Sequence, residues 1–308
     1  MGNSTQFTTI ILVGYIDVGC VTYLYFTILL LIYIAIILAN SLLIGVICVE
    51  RSLQEPMYIF LCNMSVNELY GSAAFFPSIL TNMLSKSHQV TIIHCYVQIF
   101  SLYTYASVEF GNLAIMSYDR YTAICYPLLY SSIMTRNRVF ILIALVWLIS
   151  FVKFSGNLIL NLRSELCGNV IEKVWCDNYM LVKLACSDTT VNNIYGITGS
   201  VLTIVLPLML IGYSYLKILR ACLKCPASDT QKMMATCIPH LVSLLNFSLG
   251  CSFEIFSSRF EKLYMPSVLR VIISVYFVIC PPLLNPIMYG IRLSKIKVAC
   301  KKKIFSLK

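Results

Sequence analysis

Charge is scarce in this sequence. Only 12% of its 308 residues are Asp, Glu, Lys or Arg, against 59% hydrophobic, and the mean hydropathy is +0.82. A soluble domain carries about twice that charged fraction. Too little polar side chain remains to cover a water-exposed surface, which excludes an ordinary soluble globule. Histidine is equally thin, at His88, His94 and His240. No HExxH, GxSxG or nucleotide-binding glycine loop occurs, so no enzyme is expected. No cysteine group has zinc spacing: Cys222 and Cys225 form a lone CxxC with no second pair. The opening MGNSTQFTTI lacks a basic region and a short apolar core, so no cleaved signal peptide is expected. It also fails as a myristoylation site, because Gln6 stands where Ser or Thr is needed. No inverted repeat or pair of broken half-helices is detectable, which argues against a transporter.

What the chain has instead is apolar residues in long runs. A membrane span takes roughly 20 of them. Seven stretches qualify, near residues 23–49, 57–84, 92–118, 139–160, 194–219, 233–256 and 268–289. The expected fold is therefore an all-α membrane protein. A seven-helix transmembrane domain over 23–290 would lie between an extracellular tail, 1–22, and a cytoplasmic amphipathic helix with a basic tail, 291–308. The 20 Tyr and 16 Phe suit interfacial belts and packing between spans. With the N-terminus outside, fifteen of the 23 basic residues fall on inner segments and six on outer ones, with Lys153 and Arg270 inside spans. That bias fixes the expected orientation. The net charge of +10 is then a cytoplasmic collar facing anionic lipid, and partly a protein partner, rather than a nucleic-acid patch.

Sequons and cysteines sort by compartment. Asn3 begins an N-x-T in the outer tail and is the glycosylation candidate; the matches at Asn63 and Asn246 lie within spans, out of reach. Cys95, Cys167, Cys176 and Cys186 lie on the outer side, where an oxidising space suggests two bridges with three possible pairings. Cys300, in KVACKKK, is the palmitoylation candidate.

Polar residues inside spans cost a few kcal/mol each if left in lipid, so they should face the interior and find partners. They are Asn40, Glu68, Glu109, His240, Glu254 and Asn285. Glu68 and Glu109 stand halfway along the second and third spans. Two neighbouring carboxylates cannot both be charged without a counter-ion. They would share a proton or hold a sodium ion; the bland alternative is that each bonds a neighbouring helix separately. Pro207, Pro239, Pro281, Pro282 and Pro286 each remove a helical hydrogen bond, which leaves Asn285 beside a break and Tyr289 one turn below. At the inner end of the third span stands MSYDRYTAICYPLLY. Arg120 there either snorkels to the headgroups or is held by Asp119 until helices shift.

These segments also carry a resemblance. EPMYIFLCNMSVNEL (55–69), MSYDRYTAICYPLLY (116–130), LACSD (184–188), SYLKIL (214–219), KMMATCIPHL (232–241) and PPLLNPIMYGIR (281–292) follow in order over nearly the whole chain. Together they resemble the odorant receptors among rhodopsin-like G-protein-coupled receptors. The Glu68 environment and the EFGNLAIMSYDRY run look like fish-type, class I-like members. The resemblance implies the pairings Cys95–Cys176 and Cys167–Cys186, and a sodium role for Glu68 and Glu109, with no other cofactor. Asp119, Arg120, Tyr121, Tyr215, His240, Asn285, Pro286 and Tyr289 would be the activation positions. The implied partners are a small odorant and a stimulatory, olfactory-type heterotrimeric G protein that raises cyclic AMP, at the plasma membrane of olfactory cilia. Agonist would swing the inner end of the sixth span outward and release Arg120 to the G protein. A non-olfactory small-molecule receptor and an ion-coupled transporter are the competing readings.

The chain departs from the family in the sixth span. Pro239 replaces a usual Ser, and NFSLG (246–250) replaces LFYG, so the usual toggle aromatic is missing and Ser248 stands near its place. Helical spacing puts Ile99, Tyr103, Ala106, Ser107 and Phe110 on one face of the third span. Gly199 and Thr203 do the same on the fifth, and Cys251, Ile255 and Arg259 on the sixth. These stripes are the expected ligand contacts, mostly apolar with few polar anchors. Interhelical packing is the bland alternative for the apolar members. Arg259, in SSRFEKLYMP, resembles the HRF stretch of class I receptors, where Arg pairs a ligand carboxylate through its two-pronged fork. The alternative for Arg259 is a loop charge or a pair with Glu165, Glu172 or Asp177.

Overall fold

The computed structural model describes residues 7–15, 19–259 and 267–292. Seven long helices form the bundle: α1 (Val21–Val49), α2 (Pro56–Leu84), α3 (Ile92–Cys125), α5 (Arg136–Leu162), α7 (Thr190–Cys222), α8 (Ala227–Arg259) and α9 (Ser267–Arg292). Two short helices connect them, α4 (Tyr130–Ile133) and α6 (Asn178–Lys183). All seven expected spans are present as helices. α3 runs seven residues past the expected end at 118, so Asp119, Arg120 and Tyr121 lie on helix rather than at its exit.

Local chemistry sets the helix starts. Thr91 and Thr135 accept the amides of His94 (3.3 Å) and Arg138 (3.4 Å), capping α3 and α5. Asp177 caps α6 by accepting the Met180 amide at 3.0 Å. Pro56 opens α2, where its missing N–H costs nothing. The helices continue through their internal prolines. At Pro286 the orphaned carbonyl of Pro282 receives the Asn40 amide from α1 at 2.9 Å, which gives that buried asparagine its purpose.

Among the described residues, α1, α5, α7, and long stretches of α8 and α9 are apolar enough to cross a membrane by composition alone. α2 and α3 are as long but are the most polar inside: Asn67, Glu68, Ser72, Gln98, Thr104, Glu109 and Asn112 are all buried. α3 is the axle of the bundle, packed on α2, α5, α7 and α8. Leu, Ile and Val side chains cover the outer faces of α1, α5 and α7, the surface that lipid accepts.

One feature was not expected. Thr9–Leu12 forms strand β1, antiparallel to β2 (Gln89–Thr91) and parallel to β3 (Val170–Ile171). The all-α expectation misses this small sheet because a four-residue TIIL has no periodicity to read. Ile10 and Leu12 bury against Ile171, Cys95 and Cys176, so the tail closes one end of the bundle. Two disulfides sit at that end, Cys95–Cys176 and Cys167–Cys186, the pairings implied by the resemblance.

Candidate functional site

Beneath the disulfide-bearing end, α3, α5, α7, α8 and the loop carrying Cys176 enclose a cavity of about 120 Å³. Tyr103, Ala106 and Phe110 line it from α3, Gly199 and Thr203 from α7, and Cys251 and Ile255 from α8. Two expected contacts lie elsewhere. Ile99 packs with the sheet and the Cys95–Cys176 bridge, a turn too far toward the surface. The Ser107 hydroxyl turns to α5, where it meets Ser150 at 2.9 Å and Lys153 at 2.8 Å. Arg259 is the last residue of α8, and its side chain lies outside the described ones, as do Asn3, Cys300 and the amphipathic segment beyond 292.

The roof of the cavity is an ion cluster. Lys173, from the loop between α5 and α7, pairs with Asp177 at 3.2 Å and with Glu254 of α8, and donates to Ser258 at 2.5 Å. The side chains of Lys173, Asp177 and Glu254 are only 4%, 3% and 8% exposed. Burial alone would push the Lys173 ammonium down, but Asp177 and Glu254 beside it outweigh this and hold it above the ordinary lysine value. Tyr103 donates to Asp177 at 3.2 Å, and the Trp175 indole donates to Ser274 of α9 at 2.8 Å. One loop is thereby tied to α3, α8 and α9. The sequence places Lys173 in a loop and Glu254 in a span without bringing them together; the signal is an acid inside a span, which demands a counter-charge.

Below the cavity the polar core converges. Tyr105 donates to Glu68 at 3.1 Å, and Asn285 donates to Glu68 at 2.6 Å and to Glu109 at 3.3 Å. Asn67 donates to Glu109 at 2.9 Å, and Ser243 to the Asn285 carbonyl at 2.8 Å. No cation stands beside the two carboxyl groups among these contacts, so they cannot both carry full charge and one proton between them relieves the repulsion. Every carboxyl oxygen accepts from a neutral donor, so the arrangement suits a shared proton. A sodium ion there would share the same carboxylate oxygens with the Asn285 and Asn67 donors. Among the described residues there is no cluster of metal-ligating side chains.

The missing sixth-span aromatic has a substitute one residue earlier. Phe247, fully buried, meets the Phe110 ring edge-on at 5.0 Å between centroids and the Tyr105 ring at 5.9 Å. Ser248 is only half-buried. Phe247 thus touches both a cavity wall and the tyrosine that serves Glu68.

At the far end, Asp119 is fully buried and Arg120 binds it through Nη2 and through Nε at 2.9 Å. Tyr130 of α4 donates to the other Asp119 oxygen at 2.7 Å. The His240 ring spans three helices. Its Nε2 lies 2.9 Å from the Leu113 carbonyl of α3, so Nε2 carries the proton, and Nδ1 accepts from Tyr215 of α7 at 2.6 Å. Tyr121 packs edge-on against Tyr126, their hydroxyls 3.2 Å apart. Tyr289 and Pro286 are buried on α9.

A bundle of seven helices with this bridge and these clusters has the architecture of a rhodopsin-like receptor. The chain matches the crystal structure of squid rhodopsin with a TM-score of 0.73, covering 95% of this chain and 88% of that one at 20% identity. The family model for olfactory receptors matches residues 29–308. Olfactory receptor 4B13 of Mus musculus is 32% identical over 304 residues, covering 98% of this chain and 97% of the relative. Olfactory receptor 6C1 of Homo sapiens is 34% identical over 303 residues, covering 97% and 96%. The chain belongs to the olfactory receptor family, a multi-pass membrane receptor and not an enzyme.

Proposed function

We propose that the chain binds a small, mostly apolar odorant in the cavity under the Lys173 roof and activates a stimulatory, olfactory-type G protein, raising cyclic AMP. The observation that carries this is the contact chain Phe110–Phe247–Tyr105–Glu68–Asn285, which leads from a cavity wall to the seventh span. A ligand that displaces Phe110 or Cys251 moves Phe247 and so biases how Glu68 and Glu109 share their donors. Asn285 and Ser243 pass the change between α9 and α8. The inner part of α8 is held to α3 and α7 by His240 and Tyr215. When that contact opens, Arg120 leaves Asp119 for the G-protein α subunit. The ligand does this only by binding the open state better than the closed one.

In this reading the disulfide end faces outward, the chain sits in the plasma membrane of olfactory cilia, and residues beyond 292 lie on the inner leaflet. Asn3 is glycosylated and Cys300 is palmitoylated. The test is cyclic AMP in cells expressing the receptor over an odorant panel, with Arg120→Ala and Phe247→Ala beside the wild type. Ligand-dependent signals lost in both variants, with surface display retained, are expected. An equal response from Arg120→Ala would refute the latch, and an equal response from Phe247→Ala would refute the route.

A further inference from the structure

The cavity has a second lysine with a different chemistry from the roof. Lys153, on α5, lines the cavity one turn from Asn157. Its Nζ donates to Ser107 at 2.8 Å and to Thr203, and stands 4.6 Å over the Phe154 ring. Both hydroxyls act as acceptors. Thr203 spends its own proton on the Gly199 carbonyl at 2.6 Å, and Ser150, which shares a bond with Ser107, is also placed on the Val146 carbonyl at 2.8 Å. An ammonium has three N–H groups, and two are used here. Among the described residues no carboxylate lies within ion-pair distance of Lys153, whereas Lys173 has two. A half-buried cation whose nearest partners are all neutral is costly and sets up a demand for an anion.

We infer that the odorant is a small monocarboxylate whose anionic head is seated on Lys153. This rests on the cavity reading given above and names its ligand class. The third N–H supplies a charge-assisted hydrogen bond to the head. Asn157 is a neighbouring polar group at the same wall. Leu102, Phe110, Ile204 and Phe277 give the carbon tail an apolar bed. The roof repels the head, because Asp177 and Glu254 share one cation there, so the ligand is oriented with its charge toward α5. Arg259 is then not the anchor.

The test uses the full-length receptor. Straight-chain and phenyl-substituted monocarboxylates are each compared with their methyl ester and their primary amine. Cyclic AMP is read in cells, and thermal stabilisation is read on purified receptor in detergent, for wild type, Lys153→Met and Arg259→Ala. Lys153→Met keeps an unbranched stem of similar length and removes the ammonium with its bonds to Ser107 and Thr203. At least one acid is expected to activate and stabilise wild type while its ester does not. In Lys153→Met its potency should fall about 10- to 100-fold, the size of one charge-assisted bond, and Arg259→Ala should keep it. Acid preference retained in surface-displayed Lys153→Met overturns the anchor. So do amines or esters that act where acids do not, and so does silence of every acid in both assays. Acids that stabilise wild type but not Lys153→Met, without any cyclic AMP, would keep the anchor and overturn the coupling instead.

Discussion

Removing Lys173 alone should damage this receptor more than removing Lys173 together with Glu254. In Lys173→Met two carboxylates that were 3% and 8% exposed lose the cation between them. Breaking a buried pair from one side costs about 3–5 kcal/mol, because the remaining charge is left without compensation. That is a large share of the roughly 5–15 kcal/mol that holds a protein folded. In Lys173→Met/Glu254→Gln only Asp177 stays charged, and it keeps two donors, the Tyr103 hydroxyl at 3.2 Å and the Met180 amide at 3.0 Å. More than half of the loss should therefore return, giving a coupling of about 2 kcal/mol or more, well above the roughly 0.5 kcal/mol within which independent sites add. Thermal unfolding of the purified variants measures it, with surface display as the cellular counterpart. A single variant within about 0.5 kcal/mol of wild type, or a double variant as poor as the two singles added together, would refute the reasoning.

Tyr215→Phe removes the hydroxyl bond to His240, worth about 0.6 kcal/mol between helices in a membrane, so the closed-to-open ratio should fall about threefold and basal cyclic AMP rise accordingly. His240→Ala, which also frees the Leu113 carbonyl, should exceed it; no rise in either would disprove the three-helix tie. Gly71→Ala places a methyl group 2.5 Å from the Tyr105 ring, so that ring must move off Glu68. Agonist efficacy should drop severalfold with surface display retained, read as maximal cyclic AMP. Cys95→Ser opens a bridge of sequence separation 81, and the chain-entropy cost of about 4–5 kcal/mol should abolish surface display, measured by antibody to an N-terminal tag.

The parts legible in sequence were those whose physics is one-dimensional. Length and apolarity marked the seven spans, because crossing hydrocarbon leaves no other solution for the backbone. Glu68, Glu109 and Asn285 stood out because each was costly alone, and the fold brings all three together. The disulfide pairing came from the resemblance and not from spacing. The missed parts are those where one residue of register or one loop path decides. A helix turns about 100° per residue, so Phe247 faces the core where motif alignment had put Ser248 near the aromatic position. Ile99 misses the cavity for the same kind of reason. The path of the loop that brings Lys173 to Glu254 has no period at all, and neither does the four-residue strand at Thr9–Leu12.

The two ends of the bundle are held by contacts of different strength, and that difference decides where it opens. The disulfide-bearing end is closed by two disulfides, a three-stranded sheet and a buried cation shared by two acids. Each of these costs several kcal/mol to undo. At the other end no covalent or ionic link joins the described residues of α8 to α3 and α7; His240 makes two hydrogen bonds, Thr230 donates to the Cys222 carbonyl at 3.0 Å, and Cys237 packs with Ile218 and Cys222. Side-chain bonds between helices inside membranes average about 0.6 kcal/mol. Arg120 is held by its own sequence neighbour, so freeing it breaks no link between long helices. Tyr130 ties Asp119 to the short α4 and remains in place when Arg120 departs. A small ligand has only a few kcal/mol of differential affinity to apply. On the proposed function, that difference applied at Phe247 is too small to open the roof and would part α8 from His240's partners first. The proposed motion is then directed to the Arg120 end, where among the described residues the contacts are the weaker ones.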